Sequence, residues 1–242
     1  MASPTRKIIT LLYHPNERLI EDQILMCFNI SIVSSIDAIE QQFNAEFHID
    51  FSFESKKHIS AFTNPKIPVI TSKDPNMIQP FYWGLIPHWV KDVQKADSIR
   101  RMTYNAKSET VHKKPSFRDS IKNKKCLIIA DGFYEWQSTS SGKICHYIQS
   151  TNDDIFAFAG IWSEWVNQTT GELLHSTSIL TQPANTMMAE IHNIKKRQPV
   201  ILEGNRQYEW LKSSQDYGYL LDVAQNISLT AKIIESPLKN KN

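Results

Sequence analysis

The sequence has few of the features that mark secreted, membrane or metal-binding proteins. Three cysteines, Cys27, Cys126 and Cys145, occur among 242 residues, and no two form a CxxC pair. An odd number of widely separated thiols predicts neither a disulfide framework nor a zinc or redox site, and it favours a reducing compartment. We therefore expect a cytoplasmic protein that needs no metal and no cofactor.

Long apolar runs and a strong charge of either sign are also missing. The apolar segment 8–13 is too short and too soon broken for a signal peptide, and no run reaches the length of a membrane span. The formal net charge of +2 does not by itself indicate a nucleic-acid partner. Any DNA site must be a local basic patch, and no membrane partner is expected.

Residues 1–26 differ from the rest of the chain, because they combine one short apolar run with a polar stretch. Three interpretations are open: a removable propeptide, an upstream extension from a wrongly chosen start codon, or an ordered arm. Met26 stands directly before Cys27, which favours the second. We treat residues 1–26 as a leader. No repeat or linker divides residues 27–242, so we expect them to form one α+β domain. We expect the protein to be a monomer.

Hydrophobic periodicity predicts a strand-rich chain with short helices. Four apolar residues recur at helical spacing over 33–43, where nearby serines can cap a helix. Further helices are expected over 116–125, over 184–191 and from 206 towards the polar tail. Apolar segments bounded by turn residues predict strands. These are 67–71, the stretch leading into 81–87, 126–130, 133–136, 144–149, 155–162, 176–181 and 199–202.

Glu135 lies in the segment DGFYEW (131–136), just after a turn signal. Alternation along a strand places Phe133 and Glu135 on one face, with the neighbouring tyrosine and tryptophan on the other. A carboxylate among such large apolar groups is partly desolvated, which raises its pKa and suits it to moving protons. The alternatives are a solvated edge-strand glutamate or one half of a salt bridge.

Cys27 has two possible chemistries, depending on whether a residue precedes it. An internal cysteine offers only a thiol, whereas an N-terminal cysteine carries a thiol and an amine on adjacent carbons. The α-amine, with a reference pKa of about 8, adds to an aldehyde to give an imine, and the thiol then closes a five-membered thiazolidine ring. The alternative is that Cys27 is a small buried hydrophobe.

Two further residues are candidates for the same chemistry. His192, in EIHNIKKRQPV (190–200), can exchange protons near neutral pH, as reversal of an imine requires. Asn105 can hold the cysteine or a sugar through its side-chain amide. Equally, most histidines are surface or hydrogen-bonded residues, and asparagines often cap helices or form turns.

Aromatic and basic residues near Asn105 indicate where a polyanion would bind. The segment WGLIPHW (83–89) contains a proline that disfavours a helix interior, so a loop or rim is plausible there. We expect Trp83 in the core and Trp89 at a rim, where an aromatic ring can replace a missing or flipped base. A cluster of basic residues is either a phosphate track or a solvated face. Its members are Arg100, Arg101, Lys107, Lys113, Lys114, Arg118 and Lys122.

Five sequence motifs occur together and in a fixed order. They are WGLIPHW (83–89), NAKSET (105–110), CLIIADGFYEW (126–136), AGIW (159–162) and IHN…RQPVIL (191–202). This combination resembles the SOS-response-associated peptidase (SRAP) family over most of the chain. The resemblance implies a single SRAP-type α+β domain, in which mixed, barrel-like sheets carry the site and helices flank them. It also implies single-stranded DNA with abasic sites as the partner, because family members crosslink such sites to an N-terminal cysteine.

The resemblance further implies residue roles. The implied catalytic residues are Cys27, which crosslinks, Asn105, which positions it, Glu135, the catalytic carboxylate, and His192, which helps to form and reverse the adduct. The implied DNA-contacting residues are Trp89, Lys107 and Thr181, to which the basic cluster adds Arg100 and Arg101.

Three departures from the family pattern stand out. The usual Cys-Gly-Arg is replaced by Cys27, Phe28 and Asn29, so an arginine near the cysteine is missing. The histidine segment carries an extra stretch, NIKK (193–196), which adds positive charge beside the site. Finally, residues 1–26 precede the cysteine, and either methionine removal after a start at Met26 or self-cleavage would have to expose it.

We therefore expect abasic-site processing through covalent attachment at Cys27, with an associated self-processing peptidase activity and an abasic-site lyase activity. Two alternatives remain. One is a cysteine peptidase of unknown substrate that uses Cys27 and His192, and the other is a DNA-binding module without enzymatic activity. The sequence identifies no replication-fork partner.

Overall fold

A computed structural model describes residues 27–213 and 217–238, so the predicted leader lies outside the described residues. The described residues form helices α1 Ile36–Phe43, α2 Val93–Arg100, α3 Ser120–Asn123, α4 Thr186–Ile191, α5 Asn205–Lys212 and α6 Gly218–Gln225. The strands are β1 Asn29–Ile32, β2 Glu46–Phe47, β3 Lys56–Ser60, β4 Lys66–Thr71, β5 Met77–Trp83, β6 Asn105–Lys107, β7 Lys125–Ala130, β8 Gly132–Thr139, β9 Gly142–Ser150, β10 Phe156–Val166, β11 Leu173–Pro183, β12 Arg197–Pro199, β13 Ile201–Leu202 and β14 Leu229–Ile234.

Five strands close into a barrel. Strand β10 pairs antiparallel with β7 and β11, and β4 pairs antiparallel with β7 and β5. A parallel pairing between β5 and β11 completes the ring. The short strands β6 and β12 extend this sheet at the end of β11, so that Thr181 lies between Lys107 of β6 and Pro199 of β12. The mixed, barrel-like α+β architecture expected from the resemblance is confirmed.

A second, antiparallel sheet has the strand order β14-β9-β8-β1-β3. Its register places Ile30 of β1 opposite Phe133 of β8. The Phe133 ring meets Phe158 of barrel strand β10 in an edge-to-face contact with centroids 5.9 Å apart. The face of β8 that carries Phe133 and Glu135 is therefore turned towards the barrel, as the alternation of the sequence predicts.

The barrel is packed as a continuous core. Strand β7 is buried over its whole length, and from Cys126 to Ala130 its sequence is an apolar run without alternation. Where β10 pairs with β7, a Cβ on Gly160 would lie 2.7 Å from Ile128 Cδ1, so a larger residue there would have to displace that side chain. Trp83 is fully buried and donates from Nε1 to the carbonyl of Tyr104 at 3.0 Å, which confirms its core position.

Three predicted helical segments differ from the structure. The helix expected over 33–43 starts only at Ile36, because Ser35 caps it by accepting from the Ala38 amide. The helix expected over 116–125 is reduced to α3, four residues long, at the end of a series of turns. The segment from 206 towards the polar tail was expected to be helical, yet after α6 it forms β14, since pairing with residues 145–150 of β9 outweighs its local preference.

Two further features of the described residues are the length of their helices and the state of their cysteines. In residues 27–213 and 217–238, no helix is long and apolar enough to cross a membrane. All three cysteines are buried free thiols.

Candidate functional site

Cys27 lies two residues before β1 and is almost fully buried, at 2% exposure. Its backbone carbonyl accepts a hydrogen bond of 3.2 Å from Nδ2 of Asn105. Asn105 opens β6, and parallel pairing with β11 fixes its backbone opposite Ile179. The amide oxygen of Asn105 is buried and has no hydrogen-bond partner. One end of this amide therefore holds the cysteine, while the other is an acceptor available to a ligand.

Glu135 is the most perturbed acid of the site. It is 1% exposed, and its Oε2 atom is buried without a hydrogen-bond partner. Burial raises the pKa of Glu135 to about 8. Burial, together with the charge of Glu135, raises the pKa of the Cys27 thiol well above its ordinary value. The predicted desolvation of Glu135 is confirmed, and the carboxyl acts electrostatically on the cysteine.

His192 caps the C-terminus of α4 and is 2% exposed. Its Nδ1 atom lies 2.8 Å from the carbonyl oxygen and 3.1 Å from the amide nitrogen of Arg197, so the tautomer decides which of the two contacts is a hydrogen bond. The helix is fastened to β8, because Gln137 donates to the carbonyl of Glu190 at 3.2 Å. The histidine is thus fixed against the strand that carries Glu135.

Arg197 connects three parts of the site. Its guanidinium forms a two-pronged ion pair with Glu109, in which Nη2 donates to Oε2 at 2.9 Å. The same Nη2 donates to the carbonyl of Thr181 at 2.7 Å and to its hydroxyl at 3.1 Å. The hydrogen bond from Arg197 lowers the pKa of Glu109. Thr181, expected to be a pocket residue, is 1% exposed and is held by Arg197.

The two residues after Cys27 show what replaces the family's Gly-Arg. Asn29 is buried, and its side-chain oxygen lies 2.8 Å from Nε2 of His58, so this position belongs to the sheet interior. The Phe28 ring packs against Phe62 and Tyr104, with centroids 5.0 and 5.8 Å away. These contacts anchor the cysteine to the residue that precedes Asn105.

A pocket opens from Asn105 to the surface. It measures about 520 Å³, and its lining includes Lys107, Lys114 and Phe117. At its rim Trp89 is 41% exposed and donates from Nε1 to the carbonyl of Pro115 at 3.4 Å. The exposed aromatic position expected for Trp89 is confirmed, while its contact with DNA stays a prediction.

The two arginines of the candidate phosphate track have different surroundings. Arg101 is exposed. The guanidinium of Arg100 pairs with Asp97 at 3.1 Å and stacks over the Tyr82 ring at 5.5 Å, and its aliphatic stem fills the space beside Gly84. Arg100 has structural contacts of its own, so Arg101 is the freer of the two to meet a phosphate.

The sequence alone assigned no role to Glu109, Arg197, Asn193 or Phe28. Glu109 and Arg197 lie inside two of the quoted motifs, and their opposite charges could have suggested a pair. Asn193 belongs to the extra stretch, and its contact with the Ser138 backbone depends on how α4 docks on β8. Only the fold brings such partners together.

Comparison with known proteins identifies the family. A family model described as SOS response associated peptidase (SRAP) matches residues 26–238. The abasic site processing protein YoqW of Bacillus subtilis is 35% identical over 205 residues, covering 83% of this chain and 87% of that protein. The abasic site processing protein HMCES of Gallus gallus is 32% identical over 149 residues, covering 53% of this chain and 43% of that protein.

A solved structure agrees with this result. The crystal structure of a protein from Bacteroides thetaiotaomicron superimposes with a TM-score of 0.79 at 32% identity, covering 86% of this chain and 92% of that one. The fold, the buried arrangement around Cys27 and the family match agree, and the chain belongs to the SRAP family.

Proposed function

We propose that this protein processes abasic sites in single-stranded DNA and attaches to them covalently through Cys27. One observation carries the proposal: Cys27 lies beside the desolvated Glu135, while the Asn105 amide holds the cysteine carbonyl. A relative covered over most of its length, YoqW, is named an abasic site processing protein, which supports the substrate class.

The proposed reaction uses both nucleophiles of an N-terminal cysteine. The amine nitrogen of Cys27 attacks the aldehyde carbon of the open abasic sugar, and loss of one water gives an imine. The thiol sulfur then adds to the imine carbon, the thiol proton passes to the nitrogen, and a thiazolidine results. Nothing is oxidised or reduced, so the reaction needs no cofactor.

Glu135 and His192 are the proton carriers in this scheme. Because the pKa of Glu135 is raised to about 8, its carboxyl is largely protonated at neutral pH and can donate to the departing hydroxyl of the carbinolamine. His192 would exchange protons on the imine during formation and reversal. An imine also acidifies the neighbouring sugar carbon, so loss of that proton can eliminate the 3′ phosphate, which is the proposed lyase activity.

The reaction requires a free amine at Cys27, and a peptide-bonded nitrogen cannot form an imine. Residues 1–26 must therefore be absent from the reactive protein. If translation starts at Met26, removal of that methionine suffices. If it starts at Met1, we propose that Cys27 attacks the carbonyl of the preceding residue and that water then releases the leader, with Glu135 moving protons.

The alternative of a general cysteine peptidase is less well supported. A peptidase that acts repeatedly on separate substrates needs a lowered thiol pKa, which a nearby cation or helix N-terminus provides, unlike a single attack on the adjacent carbonyl. Here burial and the charge of Glu135 raise the pKa of the Cys27 thiol. An amine-first reaction does not require a preformed thiolate.

The test is incubation of protein starting at Cys27 with an oligonucleotide that carries one abasic site. We expect an adduct that survives denaturation, whose mass equals protein plus DNA minus one water. Single-stranded DNA should react faster than duplex, because the sugar must be splayed into the pocket. A variant with Cys27→Ser retains the amine and controls for the thiol. Peptide hydrolysis without an adduct would instead favour the peptidase.

A further inference from the structure

The extra stretch 193–196 forms a closed turn between α4 and β12. The amide of Lys196 donates to the carbonyl of His192 at 2.8 Å, and the carbonyl of Lys196 accepts from the Ala184 amide at 3.0 Å. Lys196 has a φ of 49°, a left-handed conformation that a lysine adopts only when its surroundings fix it. The backbone of this turn is therefore held in place at its C-terminal end.

A side-chain clasp holds the other end of the turn. Nδ2 of Asn193 donates to the carbonyl of Ser138 at 2.8 Å, and Oδ1 accepts from the Ser138 amide at 3.1 Å. Ser138 lies opposite Lys143 in the β8–β9 hairpin. The clasp thus joins the turn to a second exposed lysine-bearing segment, three residues beyond Glu135 on the same strand.

The side chains between these two fixed ends face solvent. Ile194 is 58% exposed, and Lys195 and Lys196 are exposed as well. Lys143 adds a third positive charge, and the exposed Glu190 at the end of α4 is the acidic residue nearest in sequence. The local balance is positive on a chain whose overall charge is only +2. Such a patch attracts a polyanion.

The position of the turn relative to Lys107 indicates which part of a bound DNA strand the turn would meet. Lys107 of β6 and Pro199 of β12 flank Thr181 of β11 on opposite sides. With strands about 4.8 Å apart, the backbones of β6 and β12 are roughly 10 Å from each other. The turn leads directly into β12 and follows His192. The turn therefore joins the sheet on the side of Thr181 opposite Lys107.

We propose that the turn 193–196 is a second phosphate-binding arm, which contacts the DNA backbone on the flank of the lesion that Lys107 does not reach. The inference rests on the proposed function, and its ligand is the sugar–phosphate backbone of single-stranded DNA. Phosphate contacts of this kind position DNA without reading sequence.

The chain contains a matched control for the experiment. Lys56 and Lys57 are also adjacent and exposed, but Lys56 pairs with Ile32, at the end of β1 remote from Cys27. We would compare Lys195→Glu/Lys196→Glu with Lys56→Glu/Lys57→Glu in protein that begins at Cys27, measuring the affinity for an undamaged single-stranded oligonucleotide across a salt series. The first pair should lose affinity on the order of tenfold and flatten the salt slope by about 1.4, whereas the second should match the unsubstituted protein.

The neutral pair Lys195→Gln/Lys196→Gln should lose less affinity than the glutamate pair, which guards against a folding defect caused by the reversed charges. Adduct formation then tests on which flank of the lesion the arm binds. With the abasic site near one end of the oligonucleotide, the arm has no DNA to contact, so Lys195→Glu/Lys196→Glu should form adduct as well as the unsubstituted protein. With the site near the other end, this variant should form less adduct.

The outcomes separate the two proposals. If the unsubstituted protein forms no adduct, the proposed function fails. If it forms one, but the 195–196 and 56–57 pairs behave alike, or the defect is the same with either flank removed, the arm is wrong while the function stands.

Discussion

The interior of the site and its rim differ in the environments of their functional side chains. Cys27 and Glu135 are at most 2% exposed, whereas Trp89 at the rim is 41% exposed and Lys107 and Lys195 face solvent. Desolvation raises the pKa of both interior groups. The rim residues keep their charge and aromatic surface available to solvent. Burial thus changes the pKa values of the interior groups and with them their reactivity. Exposure leaves the rim side chains able to contact a ligand.

This difference predicts which measurements respond to which residues. Changes in the interior should alter rates and pH dependence at saturating DNA. Changes at the rim should alter affinity and its salt dependence, with the chemistry of bound DNA preserved.

The largest effect is expected at the N-terminus of Cys27. The full chain, with residues 1–26 attached, should form no stable abasic-site adduct, and protein beginning at Cys27 should form one. The reason is that only a primary amine can give the imine. Intact mass of natively produced protein, read beside its crosslinking yield, is the measurement. A chain that retains residues 1–26 and still forms a stable adduct would overturn the thiazolidine mechanism.

The next largest effect is expected from Glu135→Gln, which preserves shape and removes the titrating proton. Crosslinking of bound DNA should slow by about 10²-fold or more, and processing of the leader should be lost. Wild-type rates should fall as pH rises through about 8, where the carboxyl loses its proton, and the variant should lack this transition. Single-turnover rates at saturating DNA from pH 6 to 9 test this. Identical pH profiles would exclude Glu135 as the acid.

His192→Ala should have a smaller effect, and mainly on release. Imine interconversion, strand incision and adduct reversal should slow by roughly 10- to 100-fold, with a weaker effect on the initial adduct yield. Chasing a preformed adduct with excess competitor measures the reversal rate. His48→Ala, at a half-exposed histidine beside Asp50, is the control. Unchanged reversal and incision in the His192 variant would remove this residue from the mechanism.

Glu135 also links folding stability to pH. Its pKa is about 8 in the folded chain against an ordinary 4.5, so the folded state binds the proton more tightly than the unfolded state. The associated stability is fully present below pH 4.5 and is lost as pH rises through 8. Glu135→Gln lacks this titration. When the pH is raised from 5 to 8.5, its free energy of unfolding should therefore rise by about 2–4 kcal/mol relative to that of wild type. Urea unfolding at both pH values measures the gain, with Glu54→Gln as an exposed control.

Much of the fold and site was predictable from local sequence. The alternation in DGFYEW placed Glu135 on the same face as Phe133, and the apolar run before it marked β7. These inferences worked because strand periodicity and burial are encoded over a few residues. The family resemblance pointed to Cys27, Asn105 and His192.

The remainder depended on contacts between distant segments. The pairing of β14 with β9, the ion pair of Arg197 with Glu109 and the Asn193 clasp each join residues that no local pattern connects. Asn29 illustrates the same point. The sequence shows that it replaces an arginine, but only the fold shows that its side chain pairs with His58.

The smallest effect is expected from Lys107→Glu at the rim. Lys107 is exposed, two residues from Asn105, and it lines the pocket that opens from the site. Loss of one phosphate contact should lower affinity for single-stranded DNA several-fold and reduce the salt slope by about 0.7. At saturating DNA the crosslinking rate should stay close to wild type, because the interior groups are untouched. Lys232→Glu, exposed on the outer strand β14, carries the same charge change and is the control. A loss of rate at saturation would place Lys107 in the chemistry, and the division between interior and rim would then not hold.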